Sequence, residues 1–428
     1  MEKIIWSLIL SLNICYEKAS NGMASHMSMR AKRNNGLLSF IICMSFIIGN
    51  GYGYTAEKPV ALVSIGSFGL IKSQSQRGLP WLSVVGSEIR DEFGTVFKVK
   101  GITFSARSYY QDCANYSKMI EHYRRIKDAG FNTVFLRILW EWIEPKVGVW
   151  NDLYFSGTVD VHVHAAADCG LYIILDMDQR WLSSHFNPPE GIGMPDWCAS
   201  SYTPDSDGFK QAFVDFWKDN SGTQMAGKQD RWISALLHVV ERYKDKSNVL
   251  GFNLMNEPGR NFHTNWGWGG FTQEQFASCL LSYQERAIDA IRSVDNKHVV
   301  MVQGGVSLDK DSAKYSLKPN RPNIVWGDHC YYPYLTAYDH SSQFATLDSY
   351  IRNASNKYEE TFAQPWIISE FGKPLEEGGT LDWYSDVMYL CSKYNLAGWI
   401  VHTYYLEDAG YGLWYSDGQP KQSLSILR

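Results

Sequence analysis

Residues 249–258 read VLGFNLMNEP, and this stretch decides how the chain folds. The mostly apolar run Val249–Met255 is long enough for one buried strand. Pro258 cannot donate to a sheet, so the strand stops before it and leaves Glu257 at its C-terminal end, with the amide of Asn256 alongside. Parallel α/β barrels keep their chemistry at that end of their strands. A glutamate in an ordinary turn would read the same way, so a second stretch is needed. Residues 366–372, WIISEFG, supply it: another short apolar strand ending in a carboxylate, Glu370. Two strand-terminal glutamates far apart in sequence suit two-carboxylate glycoside cleavage.

Outward from these two strands the same alternation recurs. Phe97–Phe104 reads as the first barrel strand, with a small hairpin before it formed by Leu82–Val85, Glu88–Arg90 and a turn at 91–94. Met119, Tyr123 and Ile126 follow at helical spacing, with Gly130 placed as a C-terminal cap. Strands are expected at Thr133–Ile138, with Arg137 near the end, and at Leu171–Met177, ending in Asp178; the helix Val159–Cys169 joins them. Residues 180–224 read as an elaborated loop over the catalytic face, and 261–270, with Trp266 and Trp268, as a mobile aromatic loop. Thr272 and Gln275 form a capping box for a helix with Phe276, Leu280, Tyr283, Ala287 and Ile291 on one face. Further strands are expected at His298–Val302, Ile324–His329 and Ala397–His402. Eight strands alternating with helices make the fold class α/β, a (β/α)8 TIM barrel with a short N-terminal β-hairpin extension. The expected division is a leader at 1–56, the strand extension at 57–95 and the catalytic barrel at 96–428.

Composition narrows the function. The chain has 428 residues, a net charge of −5 and no basic stripe, so nucleic acid is a poor partner. Arg30, Lys32 and Arg33, then the apolar run Leu37–Ile48, then small residues match a secretory signal. That run is too short to span a membrane comfortably. A secreted, monomeric product beginning near residues 53–57 is expected, with anchoring by the leader as the alternative. Outside the leader six cysteines remain: Cys113, Cys169, Cys198, Cys279, Cys330 and Cys391. Their even number permits disulfides, and buried free thiols are equally open. His162 and His164 form an H-x-H pair, but on a helix i and i+2 point apart. No C-x-x-C or Cys/His cluster suggests zinc, so neither metal nor cofactor is expected.

The ordered set Arg137, Asn256-Glu257-Pro258, His329-Cys330-Tyr331 and Glu370-Phe371-Gly372 resembles glycoside hydrolase family 5, the cellulase-type retaining β-glycosidases on (β/α)8 barrels. The resemblance runs from about Leu82 to the C-terminus. It implies Glu257 as acid/base and Glu370 as nucleophile, Asn256 on the sugar hydroxyl beside the reacting carbon, and Arg137, His329 and Tyr331 around the nucleophile. Two positions depart from the family pattern. Asp178 stands where many members have histidine. The tryptophan usually found under the sugar at strand eight is either Trp399 or, in the other register, replaced by His402.

The chemistry also follows without the resemblance. A nucleophilic carboxylate must be ionised, which a neighbouring cation favours. An acid carboxyl must keep its proton, which needs a less solvated or more negative setting. For substrate, the segment 185–197, HFNPPEGIGMPDW, is similar to endoglycoceramidases of the same family. Their following β-sandwich is not expected here, since the chain closes soon after Tyr415. Aromatics in the loops, including Trp181, Trp197, Trp266, Tyr411 and Trp414, are interleaved with polar and glycine residues. That tilts the expectation toward soluble β-linked poly- or oligosaccharides, with glycolipids second and a carbohydrate-binding protein without catalysis third.

Overall fold

The computed structural model describes residues 24–34, 37–47, 78–105, 114–186, 191–259, 271–304, 312–333, 336–375, 377–404, 410–415 and 417–428, the first two segments in backbone alone. The chain divides into two units, Met1–Gln76 and Arg77–Arg428. In the first, β1 (Ala24–Asn34) and β2 (Leu37–Ile47) pair as an antiparallel hairpin. The apolar run read as a targeting segment is thus an extended strand, consistent with its β-branched and aromatic content. Among the described residues no helix is long and apolar enough to cross a membrane.

The second unit opens with the expected hairpin, β3 (Leu82–Val85) and β4 (Glu88–Asp91). Eight strands then close a barrel: β5 (Val99–Ser105), β6 (Thr133–Leu139), β7 (Tyr172–Asp178), β8 (Val249–Asn253), β9 (Val299–Gln303), β10 (Ile324–Cys330), β11 (Trp366–Phe371) and β12 (Gly398–Val401). Each pairs in parallel with the next, and β12 returns to β5. The sequence reading of a (β/α)8 barrel holds, with an α-helix in most of the crossovers. The long ones are α1 (Tyr116–Asp128), α2 (Asp160–Asp168), α3 (Ser206–Lys218), α4 (Lys228–Tyr243), α5 (Gln273–Arg292), α6 (His340–Ser355) and α7 (Thr380–Lys393).

The strand runs are continuously apolar because they are buried on both faces. Side chains alternate between those faces. On β6, Val134, Leu136 and Ile138 join the large outer cluster under the helices, while Phe135 joins a second cluster with Val99, Ile174, Leu250, Val299, Val325, Ile367 and Ile400. This second cluster fills the floor of the barrel, and Leu82 and Ile89 of the hairpin belong to it. The hairpin therefore packs as part of the barrel's own core. Above the floor the inward positions turn polar: Arg137, Asp176, Asn253, Gln303 and Glu370 are all buried or nearly so.

One expectation is corrected. Residues 206–218, assigned to an elaborated loop, form helix α3, capped by Asp205, whose carboxylate accepts from the N–H groups of Asp207 and Gly208. Phe209, Phe213, Phe216 and Trp217 fall on one helical face and are buried, a pattern obscured by the proline-rich run before it. The capping box of Thr272 and Gln275 forms as expected at the start of α5.

Gly251 marks the tightest point of the decisive strand. A Cβ there would lie 2.1 Å from the Val299 carbonyl oxygen on β9. Gly251→Ala is therefore expected to displace β8 and to destabilise the protein by about 1–3 kcal/mol, as overpacking of a filled core does. A denaturant titration checks this; an unchanged midpoint would show that β8 and β9 are not this close.

Candidate active site

The C-terminal ends of β6 to β12 bring one buried polar cluster together. Glu370, on β11, is 5% exposed. Its Oε2 accepts from Arg137 of β6, and its Oε1 accepts from the Tyr331 hydroxyl at 2.5 Å. Burial alone pushes the Glu370 carboxyl up. The Arg137 guanidinium, first among the charges beside it, and the Tyr331 hydrogen bond outweigh burial and hold it well below the ordinary carboxylate range. Burial and the Glu370 charge push the Tyr331 hydroxyl far up, so it stays a donor.

Glu257 lies just past β8, 1% exposed, with a left-handed φ of +45°. A non-glycine residue holds that conformation only when its surroundings fix it. Here two side-chain amides do so. Gln303 accepts from the Glu257 N–H at 2.7 Å, and Gln179 donates to the carbonyls of Asn256 and Glu257 at 2.7 and 2.8 Å. The Glu257 carboxylate Oε1 lies 2.9 Å from His329 Nδ1. An oxygen of each glutamate and a ring nitrogen of His329 fall within 4.8 Å of one another.

Asn256 donates to Asp178 at 3.0 Å. Asp178 and Asp176 on β7 lie 4.0 and 3.9 Å from Arg137 Nε. Burial, with the neighbouring Asp178, pushes the Asp176 carboxyl well up despite Arg137 and the Asn253 amide 2.7 Å away. Arg137 itself is held cationic: burial works against the charge, and Glu370, Asp178 and Asp176 outweigh it.

Of the residues singled out from sequence, Arg137, Asp178, Asn256, Glu257, His329, Tyr331 and Glu370 meet here. His402, just past β12, is buried, its ring 5.5 Å from that of Tyr411. Trp399 does not join them. It points outward, its ring 5.9 Å from Phe131 and 6.1 Å from Phe371, in the layer between strands and helices. The assignment of Trp399 to substrate is corrected on this ground: β12 alternates so that Trp399 and Val401 face the helices while Ile400 and His402 face inward. Trp266 and the rest of 260–270 lie outside the described residues.

Other aromatics expected at the cleft pack against neighbours, Trp414 fully and Trp181 and Trp197 in part. Trp181 stands against Phe209, Trp197 against Trp140, and Trp414 against Tyr404. Sequence reading placed Gln179 at the end of a strand without giving it a role, and passed over Gln303. Glutamine at a strand end carries no motif, and only their place beside the Asn256-Glu257 turn, unknown before folding, reveals them.

Among the described residues Glu257, His329 and Glu370 are the one grouping with metal-ligand spacing. A cation there would compete with the Arg137 guanidinium for Glu370. The H-x-H pair offers no second site. His162 is buried with Nδ1 2.7 Å from the Tyr123 hydroxyl, its pKa pushed down to about 3 by burial, while His164 is exposed. Cys169, Cys198, Cys279, Cys330 and Cys391 are free thiols; Cys113 lies outside the described residues.

The model of the cellulase family, glycosyl hydrolase family 5, matches residues 90–405. Among curated proteins, an endoglycoceramidase of Cyanea nozakii is 25% identical over 244 residues, covering 49% of this chain and 47% of that protein. Mannan endo-1,4-beta-mannosidase 3 of Arabidopsis thaliana is 24% identical over 207 residues, 40% of this chain and 47% of that protein. The major extracellular endoglucanase of Xanthomonas campestris is 26% identical over 211 residues, 45% of this chain and 40% of that protein. The match spans less than half the length of each of these relatives. Among solved structures, endo-glycoceramidase II from Rhodococcus sp. superposes with a TM-score of 0.64 at 22% identity, covering 79% of this chain and 80% of that one. An endogalactoceramidase gives a TM-score of 0.64 at 18% identity, covering 82% and 84%. These likenesses show the shared barrel fold.

The electrostatics of Glu370 lead to a stability prediction. A carboxyl whose folded pKa is depressed contributes stability above its unfolded pKa and loses it as pH falls through the folded value. Arg137→Gln leaves that carboxylate buried without its cation, which should cost about 3–5 kcal/mol near pH 7. The gap in Tm between the variant and the unaltered protein should be widest near neutrality and narrow toward acid pH, as Glu370 protonates in the variant. A gap independent of pH would contradict the assignment of Arg137 as the counter-charge.

Proposed function

Because the chain belongs to the cellulase family, glycosyl hydrolase family 5, we propose that it is an O-glycosyl hydrolase with a retaining, two-glutamate mechanism. The observation that carries this reading is the pair of buried glutamates, unlike in their surroundings and with oxygens within 4.8 Å of each other. Retaining enzymes set their carboxyls roughly 5–5.5 Å apart, whereas inverting ones leave room for a water between them. Glu370, ionised beside Arg137 and steadied by Tyr331, attacks the anomeric carbon. Glu257 gives its proton to the leaving oxygen, then withdraws one from the water that releases the sugar. Asn256, between Glu257 and Asp178, holds the hydroxyl next to the reacting carbon.

The substrate reading is a β-linked glycan carried on a lipid. Endoglycoceramidase relatives support it, as does the segment 185–197. The packing of Trp181, Trp197 and Trp414 removes much of the reason for expecting open sugar platforms. Soluble β-glucans and β-mannans are the second reading, supported by the endoglucanase and mannosidase relatives. Secretion belongs to the same proposal and rests on the basic, apolar, small order of residues 30–56.

Glu257→Gln and Glu370→Gln should each lower kcat by at least about 10³-fold while leaving the fold intact, since each removes a group that the bond-making and bond-breaking steps require. Azide should partly restore a Glu370→Gly variant and yield a glycosyl azide of inverted configuration. Near-normal turnover in either glutamine variant would remove the assignment. For substrate, the protein should release oligosaccharide from glycosphingolipids in detergent micelles faster than it shortens soluble β-glucan or β-mannan oligosaccharides. The reverse order would establish the second reading.

A further inference from the structure

Gln303, the last residue of β9, is 2% exposed and carries one amide to which the site attaches three groups. Its Oε1 accepts from the Glu257 N–H at 2.7 Å. Its Nε2 lies 3.4 Å from Asn256 Oδ1 and 3.4 Å from His329 Nε2. Two independent neighbours fix which end of the amide is which. A backbone N–H can only donate, so the end facing Glu257 is the oxygen. Asn256 turns its own nitrogen to the Asp178 carboxylate at 3.0 Å, so the end of Asn256 facing Gln303 is an oxygen and requires a donor. Gln303 therefore presents an N–H to His329 Nε2, and that ring nitrogen must accept. The backbone of Gln303 is tied down as well, its carbonyl accepting from Gln284 of α5 at 2.9 Å.

We propose that Gln303 is a positioning residue that holds His329 as the neutral tautomer protonated at Nδ1, and through it decides which oxygen of Glu257 carries the catalytic proton. With Nε2 accepting from Gln303, His329 has its proton on Nδ1 and donates to Glu257 Oε1, 2.9 Å away. An oxygen that accepts there is not the one that bears the acid proton, so the proton belongs on Oε2. The chain of direction begins at Asp178, which turns Asn256, which with the Glu257 backbone turns Gln303. Asp178, where histidine was expected, thereby gains a role: its Oδ1 accepts from the Asn256 amide and so sets that amide's direction.

The charges around His329 pull in both directions. Burial disfavours the imidazolium, and Arg137 on β6 works the same way. Glu370 on β11 and Glu257 beyond β8 draw the ring above its ordinary value. Tyr331 donates to Glu370, and His402, just past β12, is buried. A second N–H on the ring would face the N–H of Gln303 at 3.4 Å, and this contact decides for the neutral form.

The inference rests on Glu257 as the acid/base, and its test is independent of turnover. In the full chain labelled with ¹⁵N-histidine, the resonance lost in His329→Gln identifies the ring. At pH 7 the unaltered protein should show Nδ1 protonated and Nε2 of the unprotonated, imine type. A ring protonated at Nε2, whether as the other tautomer or as imidazolium, would overturn the proposal even if Glu257 proves catalytic. Gln303→Glu keeps the acceptor for the Glu257 N–H but offers an acceptor to Nε2. It should convert His329 to the imidazolium in the same spectrum and lower kcat by at least about 10-fold, a general-acid effect, with KM little changed. If that variant folds with the altered spectrum and an unchanged kcat, Gln303 sets the tautomer but does not serve catalysis, and the positioning role is refuted. If it does not fold, the spectrum of the unaltered protein decides alone.

Discussion

The Arg137 guanidinium makes the upper barrel possible. A closed parallel barrel must fill its interior, and here the floor is apolar while the layer above holds Asp176, Asp178 and Glu370 out of reach of bulk water. Burying carboxylates costs several kcal/mol each unless they are paired or neutralised. Arg137 stands against all three. The cluster divides the load unequally. Glu370 is held ionised, whereas burial and the neighbouring Asp178 push Asp176 up. One cation thus separates a carboxylate suited to attack from another suited to hold a proton and orient Asn253.

The second constraint is on backbone. Glu257 sits past the end of β8 in a left-handed conformation and is clamped from β9 by Gln303 and from the end of β7 by Gln179. Rigid strands thereby control a residue that is not itself in a strand. The carboxyl is then steered by His329 and the peptide by the two amides, so side chain and main chain are set separately. This division matters for a group that must first give a proton and then take one, because neither step can require the backbone to move.

Much of this was legible in the sequence, for identifiable reasons. The barrel could be read because strands buried on both faces appear as continuous apolar runs, and Glu257 and Glu370 because each ends such a run abruptly. The placing of Arg137 beside Glu370 was implied by the family resemblance, and the need for an ionised nucleophile agreed with it. Trp399 and His402 could not be told apart, since one residue of register exchanges the faces of a strand and β12 is only four residues long. Helix α3 was hidden behind prolines whose influence stops at Asp205. Gln179 and Gln303 were illegible because an uncharged amide acquires meaning only from what it faces. The thiols were left open in sequence, and the described ones in the second unit are unpaired with one another.

The account stands or falls on a covalent bond at Glu370. Incubation with an activated 2-deoxy-2-fluoro-β-glycoside should slow the second step and leave the sugar attached to the protein. Proteolysis and mass spectrometry should then find one added sugar, on the peptide containing Glu370. An adduct on Glu257, or turnover of the probe with release of a sugar of inverted configuration and no adduct at all, would contradict it.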